Sequence, residues 1–350
     1  AFDTARDEGA DPAVRAALAR VHAEVHQALG DLASAQTWYE EAAEVAEDAG
    51  LDAAAALALR SASFAALSQG DTRRAFRLAR GAVAAVERVV DTSSGYPADL
   101  LQPALEAYVL GAQAGFARGY ETSAAEYAET ALALMDALQR PPDRVFVNMS
   151  KIAGMIAVMD GDWEPAWTYL ASALAAYEGL EPDGPEAREL SAWTSYAASF
   201  VADERRNDLR RSLVEDGLLT PEEECTADDV LCEDVASAHG CPAQAFVDAE
   251  PARRPSPDYP ASAARSGAGG FTLVEFDVGP DGRVANAEIV AAAPQDTFEN
   301  ATLRAMRRWR YEPARCSGEA ITRRDAATFF NFMLEGSEDD PGQGWRLEPN

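Results

Sequence analysis

Three groupings of side chains in this sequence have the types and spacing that chemistry uses. Arg307, Arg308 and Arg310 surround Trp309 and Tyr311, a composition that could grip a phosphate or a carboxylate. Aromatic residues at helical spacing more often face a core. Trp309 and Tyr311 are therefore expected to anchor a helix that Pro313 ends, with the arginines on its solvated face. His22 and His26 stand at i, i+4, a metal-chelating spacing, but the Glu that a zinc protease places directly after its first His is missing. His239 and Cys241 follow Cys225 and Cys232 at spacings too irregular for a zinc site. No nucleophile elbow, phosphate loop or dinucleotide fingerprint occurs, and Ser266 to Gly270 leads into a strand rather than the helix that phosphate binding requires. The expectation is no catalytic residue, no metal and no cofactor: a binding protein rather than an enzyme.

Charge narrows the partners. The chain carries 59 acidic and 30 basic side chains, a formal charge of -29, which repels phosphate backbones and anionic bilayers. No nucleic-acid partner is expected. The imbalance lies in residues 1–250, with 44 acidic and 18 basic side chains, whereas residues 251–335 hold 11 of each. Two differently built halves follow. No run of about 18 apolar residues is present to span a bilayer, and a start at Ala1 fits a chain processed after secretion. The four cysteines, Cys225, Cys232, Cys241 and Cys316, form no C-x-x-C pair and read as disulfides of an oxidising compartment. Cys225 with Cys232 and Cys241 with Cys316 is the expected pairing, although three connectivities stay open.

The elements that would hold partner-binding residues are legible as periods. Gly30, Ala35, Tyr39, Ala42; Gly70, Ala75, Ala79, Ala82; Gly119, Ala124, Ala128, Ala131; and Gly161, Ala166, Leu170, Ala173 keep identical offsets. A glycine turn followed by small residues at plus 5 and plus 12 describes two helices joined tightly, the second approaching its neighbours closely. Stacked hairpins of this kind bury a shared core and leave a groove. The same residues resemble the tetratricopeptide repeat over about Ala10 to Leu180, with longer periods of 40, 49 and 42 residues between the glycines. That resemblance implies a ligand groove lined by the first helix of each hairpin: Arg20, Glu24, Arg60, Phe64, Glu106, Phe116, Asn148 and Lys151. Arg20, Arg60 and Lys151 could hold an acidic or C-terminal carboxylate segment, although solvated side chains balancing an acidic solenoid are the plainer use. A further helix from about Pro185 to Val214 is expected to cap the stack with its charged half in solvent.

After an acidic connector the pattern changes. Thr272, Val274, Phe276 and Val278 alternate, a Pro-Asp-Gly turn follows, and Val284 to Val290 reads as the returning strand. Phe298, Leu303 and Met306 take helical spacing, and Thr322 to Leu334 reads as a third strand. Tyr259-Pro260, Ala263, Gly269-Gly270, Phe276 to Val284, Phe298, Ala301, Leu303, Ala305, Arg307 to Ala314, Gly318 and Thr328 to Leu334 together resemble the C-terminal domain of the TonB family, over about Arg253 to Glu335. The fold class expected is therefore multidomain: an all-α, TPR-like helical-repeat solenoid over 1–214, an acidic cysteine-containing linker over 215–252, a two-layer α+β module with a three-stranded antiparallel sheet over 253–335, and an acidic tail over 336–350.

The TonB resemblance implies a periplasmic module of Gram-negative bacteria that pairs with an extended peptide from an outer-membrane transporter. In physical terms, an edge strand offers unpaired N–H and C=O groups to an incoming strand. Here that edge would be Thr322, Arg323, Arg324, Asp325, Ala327, Thr328 and Phe330. Two uses follow: an adaptor that docks one protein in the helical groove and captures a strand of another, or a cell-envelope scaffold, or self-associating structural protein, that uses the same edge without energy transfer.

Overall fold

The computed structural model describes residues 10–90, 96–181, 184, 186–201, 203–218, 239–266 and 268–332. The chain divides into two compact units, Ala1–Ile156 and Ala157–Asn350.

The first unit contains α1 (Pro12–Ala28), α2 (Leu32–Asp48), α3 (Asp52–Ser68), α4 (Thr72–Val89), α5 (Leu101–Phe116) and α6 (Glu121–Ala137), and reaches into α7 (Arg144–Asp160). The repeat glycines build its turns. Gly30, Gly70 and Gly119 have φ of 78°, 79° and 75°, a left-handed conformation that a Cβ disfavours. After Gly30 and Gly70 an Asp opens the next helix: Asp31 accepts from the Ser34 N–H at 3.1 Å and Asp71 from the Arg74 N–H at 3.0 Å, satisfying donors that a helix start leaves orphaned. Ala35, Ala75 and Ala124, with Ala42, Ala82 and Ala131, are all buried. Small side chains let helix axes approach to roughly 8 Å, the short end of the packing range. Successive helices α1 to α6 pack on one another. Polar ties cross between hairpins, the Arg74–Glu40 pair at 2.7 Å and Gln69 donating to the Gln36 Oε1 at 2.9 Å, while Arg88–Asp52 at 2.6 Å closes one hairpin.

The second unit opens with α8 (Trp163–Leu180), α9 (Glu186–Ala198) and α10 (Asp203–Glu215). Then follow β1 (Phe246–Val247), β2 (Glu250–Arg253), α11 (Ala261–Ser266), β3 (Gly270–Val278), β4 (Val284–Ala293), α12 (Glu299–Met306), β5 (Arg310–Glu312), β6 (Arg315–Cys316), β7 (Glu319–Ala320) and β8 (Arg323–Phe332). The main sheet is antiparallel in the order β4-β3-β8, and small pairings β2-β5 and β1-β6-β7 flank it. The fold class expected from the sequence is the one observed. Val274, Phe276 and Val278 of β3 meet Phe298, Met306, Trp309, Phe330 and Phe332 in one core. Thr272, on the same face, is buried with its hydroxyl 3.0 Å from that of Thr302 on α12.

Two expectations are corrected. The helix does not run to Pro313. It ends at Met306, Trp309 follows in a turn whose N–H reaches the Met306 carbonyl at 3.0 Å, and Tyr311 sits in β5. Trp309 and Tyr311 are two residues apart, which is strand spacing. β2 pairs with β5 and the Gly282 carbonyl takes the Tyr311 N–H at 2.8 Å, so backbone partners outside the helix supply what further helical turns would have. Gly282 is obligatory there, because a Cβ would fall 2.0 Å from the Tyr311 carbonyl oxygen. Trp309 is still a core anchor, 3 % exposed, and Arg307 and Arg308 are exposed.

The segment expected as one helix from Pro185 to Val214 is two, and its first half is enclosed rather than at an end of the fold. α9 packs on α8 and, with its other side, on β3, β4 and β8. Trp193, fully buried, stands 5.8 Å from the Phe271 ring and 5.2 Å from the Phe329 ring. Leu273, on the opposite face of β3 from Val274, is fully buried as well. Both faces of the sheet are therefore covered.

Candidate functional site

Two places carry the residues singled out in the sequence. The first is β8. Among the described residues it pairs with β3 alone, from Gly270↔Phe332 to Val278↔Arg323. In an antiparallel pair alternate residues turn their N–H and C=O groups away from the partner strand, so the far side of β8 is an edge. Its two ends differ. At the start, Arg323 is held by Asp248 at 3.0 Å, the Arg324 N–H donates to His239 Nε2 at 2.8 Å and the Asp325 N–H to an Asp277 oxygen at 3.1 Å. Asp325 has φ of 53° and the register shifts beside it, a bulge that interrupts pairing. Thr322 lies just ahead of the strand. From Ala326 to Phe332 the strand is regular.

Side chains along that stretch are committed inward. Thr328, Phe330 and Phe332 are buried in the core shared with α12, and Phe329 lies against Trp193 and Tyr196 of α9. Ala327, like Phe329, is on the α9 side and half-buried. What β8 offers is thus its backbone rather than its side chains. The helix that braces it is charged to the sheet: Arg188 of α9 reaches Glu275 at 2.8 Å and Glu288 at 2.6 Å. Those hydrogen bonds raise the Arg188 pKa, Glu288 contributing more than Glu275, and hold Glu288 below the usual carboxylate range. Burial pushes Tyr196 up to about 12.

The second place is a cavity of 460 Å³ in the first unit, between α1, α3, α5 and the start of α7. Of the residues singled out for a groove, Arg20, Glu24, Arg60, Phe64 and Glu106 line it, whereas Phe116, Asn148 and Lys151 do not. Leu57, Leu105, Val109, Leu110 and Val145 supply an apolar wall, and Phe64 is 47 % exposed within it. The cations have partners already: Arg20 pairs with Glu24 at 2.9 Å and Arg60 with Glu106. An incoming carboxylate would have to exchange with these glutamates. Tyr39, Gln27, Gln113 and Arg140 also line the cavity. The Tyr39 hydroxyl donates to Gln27 at 2.7 Å, and burial, then Glu24, raises its pKa. Tyr39 fills the plus 9 position where the next two repeats have alanine, a departure that marked it.

Other candidates have local uses. His22 stacks on Trp38 at 4.9 Å and His26 lies 3.2 Å from Asp31. Among the described residues no group of three or more His, Cys, Asp or Glu is placed to hold a metal ion, and no helix is long and apolar enough to cross a membrane. Cys241 and Cys316 form a disulfide with Cα atoms 5.8 Å apart, while Cys225 and Cys232 lie outside the described residues.

Comparison with known proteins gives this geometry a setting. Residues 255–334 match the family model described as Gram-negative bacterial TonB protein C-terminal. Protein TonB of Escherichia coli (strain K12) is 50% identical over 62 residues, 18% of this chain and 26% of that protein. Protein TonB of Klebsiella pneumoniae is 47% identical over 85 residues, 24% of this chain and 32% of the relative. The chain thus spans about a quarter to a third of the length of these curated relatives. The solution structure of the Pseudomonas aeruginosa TonB CTD is 33% identical, with 26% of this chain and 90% of that one covered and a TM-score of 0.24. A structure of nearly identical TPR-like repeats from a Podosopora anserina putative kinesin light chain covers 62% of this chain and 99% of its own, at 16% identity and a TM-score of 0.40.

Proposed function

Since residues 255–334 match the family model described as Gram-negative bacterial TonB protein C-terminal, we propose that this chain is a periplasmic TonB-like adaptor that captures an extended peptide, such as one from an outer-membrane transporter, by strand addition at β8. The observation that carries the reading is the one-sided pairing of β8. An incoming strand satisfies backbone groups that otherwise face water, and the buried Thr328, Phe330 and Phe332 keep the edge straight while it does so. Capture is concentrated on Ala326 to Phe332, because the N–H groups of Arg324 and Asp325 are already engaged. Partner choice then rests on the alternate side chains of the guest. The reading assigns binding without turnover.

Docking of a second protein is assigned to the cavity of the first unit, whose exposed Phe64 and apolar wall favour a partner that presents an apolar side chain beside a polar one. The division of labour is 1–214 for docking, 215–252 as connector, 253–335 for strand capture and 336–350 as tail. To test it, the isotopically labelled chain is titrated with transporter N-terminal peptides. Amide shifts are expected along Ala326 to Phe332, and unperturbed amides there would reject strand capture. Phe64→Asp is expected to release the docked protein in capture from envelope extract without altering the peptide response. Undiminished capture by that variant would move docking off the cavity.

A further inference from the structure

Residues 239–248 are tied to the stretch that leads into β8 and to the first residues of β8 itself. The Cys241–Cys316 disulfide joins them covalently, Phe246 and Val247 of β1 pair with Cys316 and Arg315 of β6, and the Ser317 N–H donates to the Ala245 carbonyl at 2.8 Å. At one end of the segment Asp248 holds the Arg323 guanidinium at 3.0 Å. At the other, His239, whose ring lies 5.8 Å from that of Phe246, takes the Arg324 N–H on Nε2 at 2.8 Å. Both ends therefore land on neighbouring residues of one strand.

The two amides at this point go different ways. The Asp325 N–H is turned to Asp277 of β3, whereas the Arg324 N–H goes to a residue outside the sheet. A bulge such as the one at Asp325 leaves its extra residue unpaired and its donors open, and an open donor on an edge strand is what a second strand pairs with. His239 removes that donor. The Nε2 lone pair takes the place that a guest carbonyl would have. Of the residues of β8, Arg323–Phe332, those from Ala326 onward keep a regular pairing to β3 on one side and, among the described residues, have no strand on the other.

We infer that residues 239–248 are a stop on the capture edge. The stop fixes the end of a guest strand at Ala326 and limits its paired run to the length of Ala326 to Phe332, roughly 23 Å of extended chain. His239 is the positioning residue, because a longer guest has to displace its imidazole from the Arg324 N–H. The guest so selected is a short extended segment, and long sheet-forming strands, the usual hazard of an open edge, are turned away. This inference rests on strand capture at β8 and goes beyond it in assigning the length and end point of the guest.

To test it, the full chain is titrated with transporter N-terminal peptides lengthened two residues at a time, and affinity and amide shifts are read together. Affinity is expected to climb until the peptide spans Ala326 to Phe332 and then to level off, with the Arg324 amide unmoved. In His239→Ala the climb is expected to continue, by roughly fivefold for one further backbone hydrogen bond, and shifts are expected to reach Arg324. His239→Gln, whose side-chain oxygen can accept the same N–H, is expected to restore the limit, which a merely structural role for the imidazole does not predict. Without peptide, the Arg324 amide is expected to exchange with deuterium faster in His239→Ala than in the wild type or His239→Gln. A wild-type chain whose Arg324 amide shifts as longer peptides gain affinity overturns the stop and leaves capture standing. So does a His239→Ala chain with the wild-type limit, which would give that limit to the bulge at Asp325. Peptides that move no amide from Ala326 to Phe332 in either chain reject strand capture, and the stop with it.

Discussion

The helical repeats and the C-terminal module are held together by opposite kinds of core. In the repeats the residues that recur at fixed offsets from each turn are alanines, buried completely, and stability is spread over many close, shallow contacts. In the module a few large side chains dominate: Phe298 stacks on Phe332 at 4.3 Å, Trp309 lies 5.4 Å from Phe330 and 6.0 Å from Phe276, and its indole N–H reaches the Pro255 carbonyl at 3.1 Å. An alanine core resists enlargement and an aromatic core resists truncation. The contrast also fits the parts proposed for each: a lattice of helices holds a cavity open between them, while a rigid, filled sheet keeps one backbone edge straight.

Substitutions can sharpen or break that contrast. The largest effect is expected from Trp193→Ala, which empties the space between α9 and the sheet and should cost about 3–5 kcal/mol. Its amide-exchange signature should fall on the second unit and spare α1 to α6. Equal loosening of the repeats would show that the two cores are not independent. Trp193→Phe should recover most of the loss, because the buried indole N–H has no hydrogen-bond partner among the described residues and its removal leaves no group unsatisfied. Next comes Ala82→Leu, which forces extra methylenes into a helix contact with no free space and should cost about 1–3 kcal/mol, measured by denaturant unfolding. Tolerance of that leucine would mean the alanines are not setting the helix spacing. The smallest effect is expected for Arg188→Ala, since exposed ion pairs contribute little. Its readout is the Glu288 titration, which should move up toward the ordinary carboxylate value. As the folded-state pKa of Glu288 is depressed, the pair's contribution is present above the ordinary Glu pKa and fades as pH falls through the folded value. Variant and wild type should therefore converge in acid, and an unmoved Glu288 titration would remove Arg188 from the clamp.

Which residues come together was readable from the repeat offsets in part. Five of the eight groove residues line one cavity, because repeat offsets carry a residue to the same place on successive helices. Asn148 and Lys151 do not, and their offset from Gly161 gave no warning. For β8 the strand was visible, but the engagement of its first amides was not: His239 and Arg324 are 85 residues apart, and nothing near Arg324 marks the contact.

The sequence by itself determined the local periods: the glycine turns, the alanine stripes, the alternation of Thr272, Val274, Phe276 and Val278, and the match of residues 255–334 to a family model. These follow from backbone geometry repeating over a few residues, which a one-dimensional pattern records faithfully. Only the tertiary structure decided that α9 covers the second face of the sheet, that the helix stops at Met306 because Gly282 and β2 offer its successors other backbone partners, and that Arg60 faces Glu106. Each joins residues far apart in the chain, where packing and hydrogen-bond satisfaction choose among many partners that local propensity leaves equivalent.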